Sequence, residues 1–434
     1  MPLTCETLGP SATATIGEQA DLAVRLPDAH IIGWFTVRLV LVSWLVTFFD
    51  GFDLNVIAFA ARDLVKSFSL DTHMLGNVFT SGIAGTLIGA LLFGFLGDRI
   101  GRRRAILLAT VSFGSLTLAL ALADNYWQLL ALRFLGGLAL GGAIPLIWAS
   151  SVESAPPNYR ATLVTLIMLG YGIGIAVAGP ISLILIPRFG WQSVFVVGGA
   201  AALLTAAMLY KALPESPRFL AAKRAAKRAA GAVQTGLAPL FQGELRWITP
   251  LLWLAYAASS LNTFFFSTWG PSLFERMGLS HADAAWCSFA NSVAGAVGAL
   301  LLMRFTDRIG AISVAFLPAI AVPFLLVLGF TPVSHTAFLA MMCTLYLFLG
   351  GSHYGVISVA GIFYPTLHRS LGTGWAGGVG KLGSIAGPWV GGWLMASSLP
   401  AQRTFAVLAV APAIFFVCML TIGLIERRAG PSEP

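Results

Sequence analysis

Charged side chains are scarce in this chain: only 10% of its 434 residues are Asp, Glu, Lys or Arg, against about 25% in an ordinary soluble domain. With 57% hydrophobic residues and a mean hydropathy of +0.83, that scarcity excludes a soluble fold and predicts an integral membrane protein. Cysteine is equally sparse. Cys5, Cys287, Cys343 and Cys418 stand far apart, outside any CxxC pair or His-rich cluster, which excludes a disulfide framework and a zinc site. No GxxxxGK[ST] run occurs, so ATP does not drive the protein directly. No metal-ligand spacing and no nucleophile–base pair rises above background, so an enzyme is not expected and neither a metal nor a cofactor is called for. The first thirty residues mix Thr, Ala, Glu and Asp without a basic start and an apolar core, and read as a cytoplasmic tail, not a secretory signal.

Long apolar runs dominate the remainder. About 20 residues cross the hydrocarbon as a helix, and twelve such spans can be marked: 37–61, 74–96, 105–123, 127–152, 161–187, 191–211, 247–273, 283–303, 311–330, 335–363, 371–396 and 403–425. The expected organisation is a tail over 1–36, a six-helix bundle over 37–211, a central loop over 212–246, a second bundle over 247–425 and a tail over 426–434. The central loop holds Pro214, Pro217, Lys223, Arg224, Lys227, Arg228 and Pro239, and its basic stretch is expected to lie on the membrane surface as a helix. The net charge of +8 does not point to nucleic acid, because the basic residues are scattered between spans. With the N-terminus inside, 19 of the 26 Lys and Arg fall on the inner side, which predicts cytoplasmic termini.

The halves repeat. Asp98-Arg99-Ile100-Gly101 recurs as Asp307-Arg308-Ile309-Gly310, and Pro156-x-x-x-Arg160 recurs as Pro365-x-x-x-Arg369, both at an offset of 209. Each pair occupies equivalent loops, as expected of a six-span unit present twice in a transporter.

These residues carry a resemblance. Gly94-x-x-x-Asp98-Arg99-x-Gly101-Arg102-Arg103 resembles the loop signature of the major facilitator superfamily, and Pro214-Glu215-Ser216-Pro217-Arg218 resembles its sixth-span ending. Asp50-Gly51-Phe52-Asp53, Tyr364-Pro365…Arg369…Gly372-x-Gly374-Trp375 and Gly383-x-x-x-Gly387-Pro388-x-x-Gly391-Gly392 together resemble the aromatic acid:proton symporter family. The second signature loop departs from the pattern, with Met303 in place of Gly94 and Gly310-Ala311-Ile312 in place of Gly101-Arg102-Arg103. Lys381 stands where the family more often has Arg, a point charge instead of a bidentate fork. The resemblance implies an all-α fold of twelve transmembrane helices in two pseudo-symmetric bundles. It also implies proton-coupled import of a small aromatic or related organic acid anion across the inner membrane, by a monomer. Export, a non-aromatic acid, or a transport-inactive receptor are the competing readings.

Four ionisable residues lie deep in the spans: Asp50, Asp53, Arg133 and Lys381. An intramembrane charge is costly unless it meets a partner or a wet cavity. Asp50 and Asp53, three apart, are expected to share one helix face and to couple protons, with Arg133 at Asp53's depth tuning them. Asp53→Asn is therefore expected to abolish accumulation. Lys381 is expected to bind the substrate carboxylate, with Asn262, His353 and Tyr354 as further candidates, Asn262 or Ser267 orienting the substrate, and at most one or two of Phe264, Phe265 and Phe266 lining the cavity. A purely structural ion pair, and a packing role for His353, remain the alternatives. Asp98, Arg99, Gly101, Arg102, Arg103, Glu153, Arg160, Asp307, Arg308 and Arg369 are expected to bridge helix ends and set the conformational balance. Gly85-x-x-x-Gly89, Gly137-x-x-x-Gly141 and Gly383-x-x-x-Gly387 read as close-packing faces.

Overall fold

A computed structural model describes residues 34–154, 160–212, 237–309, 312–364 and 369–429. Inside hydrocarbon every backbone amide and carbonyl must pair within its own segment, so apolar runs of this length fold as helices. The first half contains α1 (Trp34–Phe68), α2 (Thr72–Ile100), α3 (Arg102–Leu120), α4 (Tyr126–Ser154), α5 (Arg160–Phe189) and α6 (Gln192–Ala212). The second contains α7 (Leu245–Arg276), α8 (His281–Ile309), α9 (Ile312–Phe330), α10 (His335–Phe363), α11 (Arg369–Ala396), α12 (Ala401–Leu408) and α13 (Val410–Ala429). The last two are one broken span, so each half holds six. Among the described residues nine segments are long and apolar enough to cross a membrane by composition alone. Polar residues such as Asn262 dilute α7, and glycines with Lys381 dilute α11. Residues 1–33 and 213–236, including the basic stretch of the central loop, lie outside the described residues.

Local signals set the helix ends. Asp71 accepts from the Met74 amide at 2.7 Å and caps α2, satisfying one of the donors a helix start leaves free. Gly101 ends α2 at φ 100°, a conformation that side chains rarely adopt.

The pseudo-repeat is visible in the packing. The most extensive contacts are α2–α4 and α1–α5 in the first half and their counterparts α8–α10 and α7–α11 in the second. Close approach depends on glycine. A β-carbon on Gly137 would lie 2.0 Å from the Gly82 carbonyl oxygen, and one on Gly89 1.9 Å from that of Leu138. Gly137→Val is expected to destabilise the protein by at least about 1–3 kcal/mol through overpacking. The apparent melting temperature in detergent reads this directly, and an unchanged value would mean that α2 and α4 part there at no cost.

Between the halves, α2 meets α11 and α5 meets α8. At the end opposite the chain termini the two halves touch directly. There Gly76 abuts Gly392 backbone to backbone, His73 packs edge-on to Trp393 with ring centres 4.7 Å apart, and Phe79 packs edge-on to Trp269 at 5.2 Å. The continuous apolar core takes residues from both halves at this end, among them Ile57, Phe79, Phe265, Trp269 and Ala285.

Candidate functional site

Below that seal the halves diverge around a cavity of about 490 Å³, within the range of small-molecule sites. Its walls come from α1, α2, α4 and α5 on one side and α7, α8, α10 and α11 on the other. Leu91 of α2 and Gly374 of α11 line its part nearer the chain termini.

Asp50 belongs to this wall, with Thr47 and Leu54 on the same stripe of α1. Lys381 faces it from α11. The two interact electrostatically across the space, but among the described residues no contact ion pair joins them. Instead the Lys381 ammonium donates to Thr86 Oγ1 at 3.2 Å. Thr86 spends its own proton on the Ile83 carbonyl at 2.8 Å and is left an acceptor for Lys381. This bond spans the two bundles.

Asp53 does not share that surface, contrary to the expectation that both carboxylates look the same way. Residues three apart on a helix are offset by about 60° around its axis, and the cavity wall ends between them. Asp53 turns into the first bundle, beside Phe52, Val56, Phe113 and Phe195. Arg133 of α4 donates to it, Nη1 to Oδ2, at 2.8 Å. The guanidinium lies over Gly82, where a β-carbon would meet Nη2 at 3.0 Å. Both partners are buried, and Arg133 Nε has no hydrogen-bond partner.

The remaining candidates divide similarly. His353 lines the cavity, with Nδ1 3.1 Å from Ser259 Oγ and its ring 6.1 Å from that of Tyr256. Phe264, Phe266 and Ser267 line it as well, whereas Phe265 is fully buried. Ser267 donates to Asn55 Oδ1 at 2.8 Å, a second bond between the bundles. Asn262 is not on the cavity wall. Its amide reaches the Leu408 carbonyl at 3.5 Å, at the break between α12 and α13, where an unpaired helix-end carbonyl needs a donor. The side chain of Tyr354 lies outside the described residues. Sequence reasoning missed Thr86, Asn55 and Tyr256, since single polar residues in a span carry no periodic signal. It also missed Ser288, Asn291 and Ser292 of α8, whose spacing on one face was a usable signal.

A family model described as Major Facilitator Superfamily matches residues 43–367 and 252–434. The chain belongs to the Major Facilitator Superfamily. It is a membrane transporter and not an enzyme. It is 31% identical over 431 residues to a gallate transporter of Pseudomonas putida, covering 93% of this chain and 96% of that one. It is 33% identical over 387 residues to a 3-(3-hydroxy-phenyl)propionate transporter of Escherichia coli, covering 89% and 93%. Among solved structures it is similar to the xylose transporter XylE from E. coli, with a TM-score of 0.72, 18% identity, and coverage of 90% of this chain and 98% of that one.

Of the superfamily's signature residues, Arg99 is exposed over the Phe95 ring, 4.1 Å from its centre. Arg103 donates to the Tyr210 carbonyl at 2.7 Å, tying α3 to the end of α6, where a cation also complements the helix dipole. Arg102 is half-buried. The side chains of Asp98, Glu153, Arg160, Asp307, Arg308 and Arg369 lie outside the described residues.

Proposed function

We propose that this transporter carries a small aromatic carboxylate together with a proton into the cell across the inner membrane, acting as a monomer with both termini in the cytoplasm. One observation carries the reading: Asp50 and Lys381 face one cavity from opposite bundles without forming an ion pair. A cation held by a neutral hydroxyl is available to a substrate carboxylate. Once that anion docks, one lysine faces two carboxylates, and the site returns to neutrality when Asp50 carries a proton. The cavity's aromatic lining, Phe264, Phe266, Tyr256 and Tyr346 among it, suits a ring. The distribution of Lys and Arg orients the chain so that the cavity leads to the cytoplasm. A complete cavity within one chain supports a monomer. Asp53 with Arg133 is assigned a supporting role, and Asn262 a structural one.

Uptake of labelled aromatic and aliphatic carboxylates into proteoliposomes, under an imposed inward proton gradient and with a protonophore control, tests the reading. Lys381→Gln is expected to raise KM for the acid at least about tenfold, since a charge-assisted hydrogen bond to a desolvated carboxylate is worth roughly 1.5–3 kcal/mol. An unchanged KM would remove Lys381 from the binding site.

A further inference from the structure

Lys381 ends on a hydroxyl although a carboxylate shares its cavity. Asp50 and Lys381 are the cavity wall's only Asp, Glu, Lys or Arg among the described residues, and they interact across it without a contact ion pair. The ammonium's one hydrogen bond among the described residues goes to Thr86 Oγ1 at 3.2 Å. An uncharged acceptor is the weaker partner for a cation, since a hydrogen bond between two ionised groups is stronger. The lysine stem is flexible and does not by itself dictate that choice.

Thr86 is built as a fixed acceptor. It is 4% exposed, and its hydroxyl gives its one proton to the Ile83 carbonyl at 2.8 Å. Its backbone is pressed against α4, where a β-carbon on Gly141 would lie 2.2 Å from the Thr86 carbonyl oxygen. Position and rotor are therefore set before any ligand arrives. The bond to Lys381 also falls in step with the seal between the bundles. Thr86 is ten residues from Gly76 along α2, and Lys381 is eleven from Gly392 along α11. At 1.5 Å per residue, both groups lie about 15 Å below the Gly76–Gly392 contact. An ammonium has three N–H groups; Thr86 takes one and leaves two for an incoming carboxylate.

Resting on the reading of this cavity as an aromatic-acid site, we propose that Thr86 is a positioning residue that holds the Lys381 ammonium away from the Asp50 carboxylate. An incoming acid then meets a cation already oriented and not yet paired. Without Thr86 the lysine pairs with Asp50, and a substrate must displace one carboxylate in order to bind with another. Thr86 itself need not touch the substrate. Its effect passes through Lys381 and exists only while Asp50 is an anion.

The test is counterflow exchange of labelled benzoate, gallate and phenylpropionate in proteoliposomes at about pH 8, where ordinary carboxyl groups are ionised. Exchange needs no proton gradient, so variants on an Asp50→Asn background are readable. For whichever acid the wild type exchanges, Thr86→Val, close in size but without the acceptor, is expected to raise KM about tenfold, an ordinary effect for a charge-assisted hydrogen bond. Its kcat is expected to stay within about twofold. Thr86→Ala removes the same acceptor with less bulk, guards against a valine variant that does not fold, and should behave alike. Thr86→Ser keeps the oxygen and should restore KM to within about twofold of the wild type. Adding T86V to the D50N protein should leave its KM unchanged, since no carboxylate then competes for the lysine. An unchanged KM in T86V and T86A beside a raised one in K381Q overturns the inference and leaves the proposed function standing. A KM rise that persists on the D50N background also overturns it, because Thr86 would then act on the substrate or the packing directly. A K381Q protein with unchanged KM, or a wild type that exchanges no aromatic acid, overturns the proposed function and the inference with it.

Discussion

Asp50→Asn should convert a concentrating carrier into one that merely equilibrates its substrate. Asparagine keeps the shape and a neutral charge but cannot release a proton. The variant is therefore locked in the electrostatic equivalent of the protonated site, with Lys381 still opposite it. Exchange of labelled for unlabelled acid is expected to continue. Accumulation driven by a pH gradient is expected to collapse to a ratio of about one, where one coupled proton would otherwise support about tenfold per pH unit. Counterflow and gradient-driven uptake in the same vesicles separate the two. Gradient-driven accumulation that survived the substitution would refute coupling at Asp50. The earlier expectation for Asp53→Asn changes with the geometry, because Asp53 is held by Arg133 away from the cavity wall. Its replacement is expected to act on stability first.

Arg133→Leu carries the largest expected cost to the fold. It leaves the Asp53 carboxylate buried among Phe52, Val56, Phe113 and Phe195 without its cation. Breaking a buried pair by removing one partner costs about 3–5 kcal/mol, whereas replacing both partners by apolar groups is often neutral. The single variant should express poorly and melt well below the wild type, and D53L/R133L should recover most of the difference. Thermal unfolding in detergent distinguishes these outcomes. A single variant as stable as the wild type would mean that the pair contributes nothing to holding α1 against α4.

Much of the architecture was legible because the bilayer reduces it to counting. Span length, the repeat at 209 residues and glycines at every fourth position depend on spacing along one helix, and spacing is what a sequence records. The angular position of the cavity edge is not recorded there. Asp50 and Asp53 are neighbours on α1, yet the wall ends between them, so one meets Lys381 and the other Arg133. Asn262 follows the same logic. Its type suggested a ligand contact, but the break between α12 and α13 created a carbonyl that required it. Ser288 and Ser292 lie on the cavity wall but bond carbonyls of their own helix, a pattern common to serines in any span.

The seam between Gly76 and Gly392 has an energetic consequence. Two bare backbones in contact bury little apolar area and have no rotamers to realign. Separating them exposes little surface to water, and meeting again demands no search. At that point the junction adds little to the cost of separating the halves, which falls instead on the aromatic contacts beside it, His73 with Trp393 and Phe79 with Trp269.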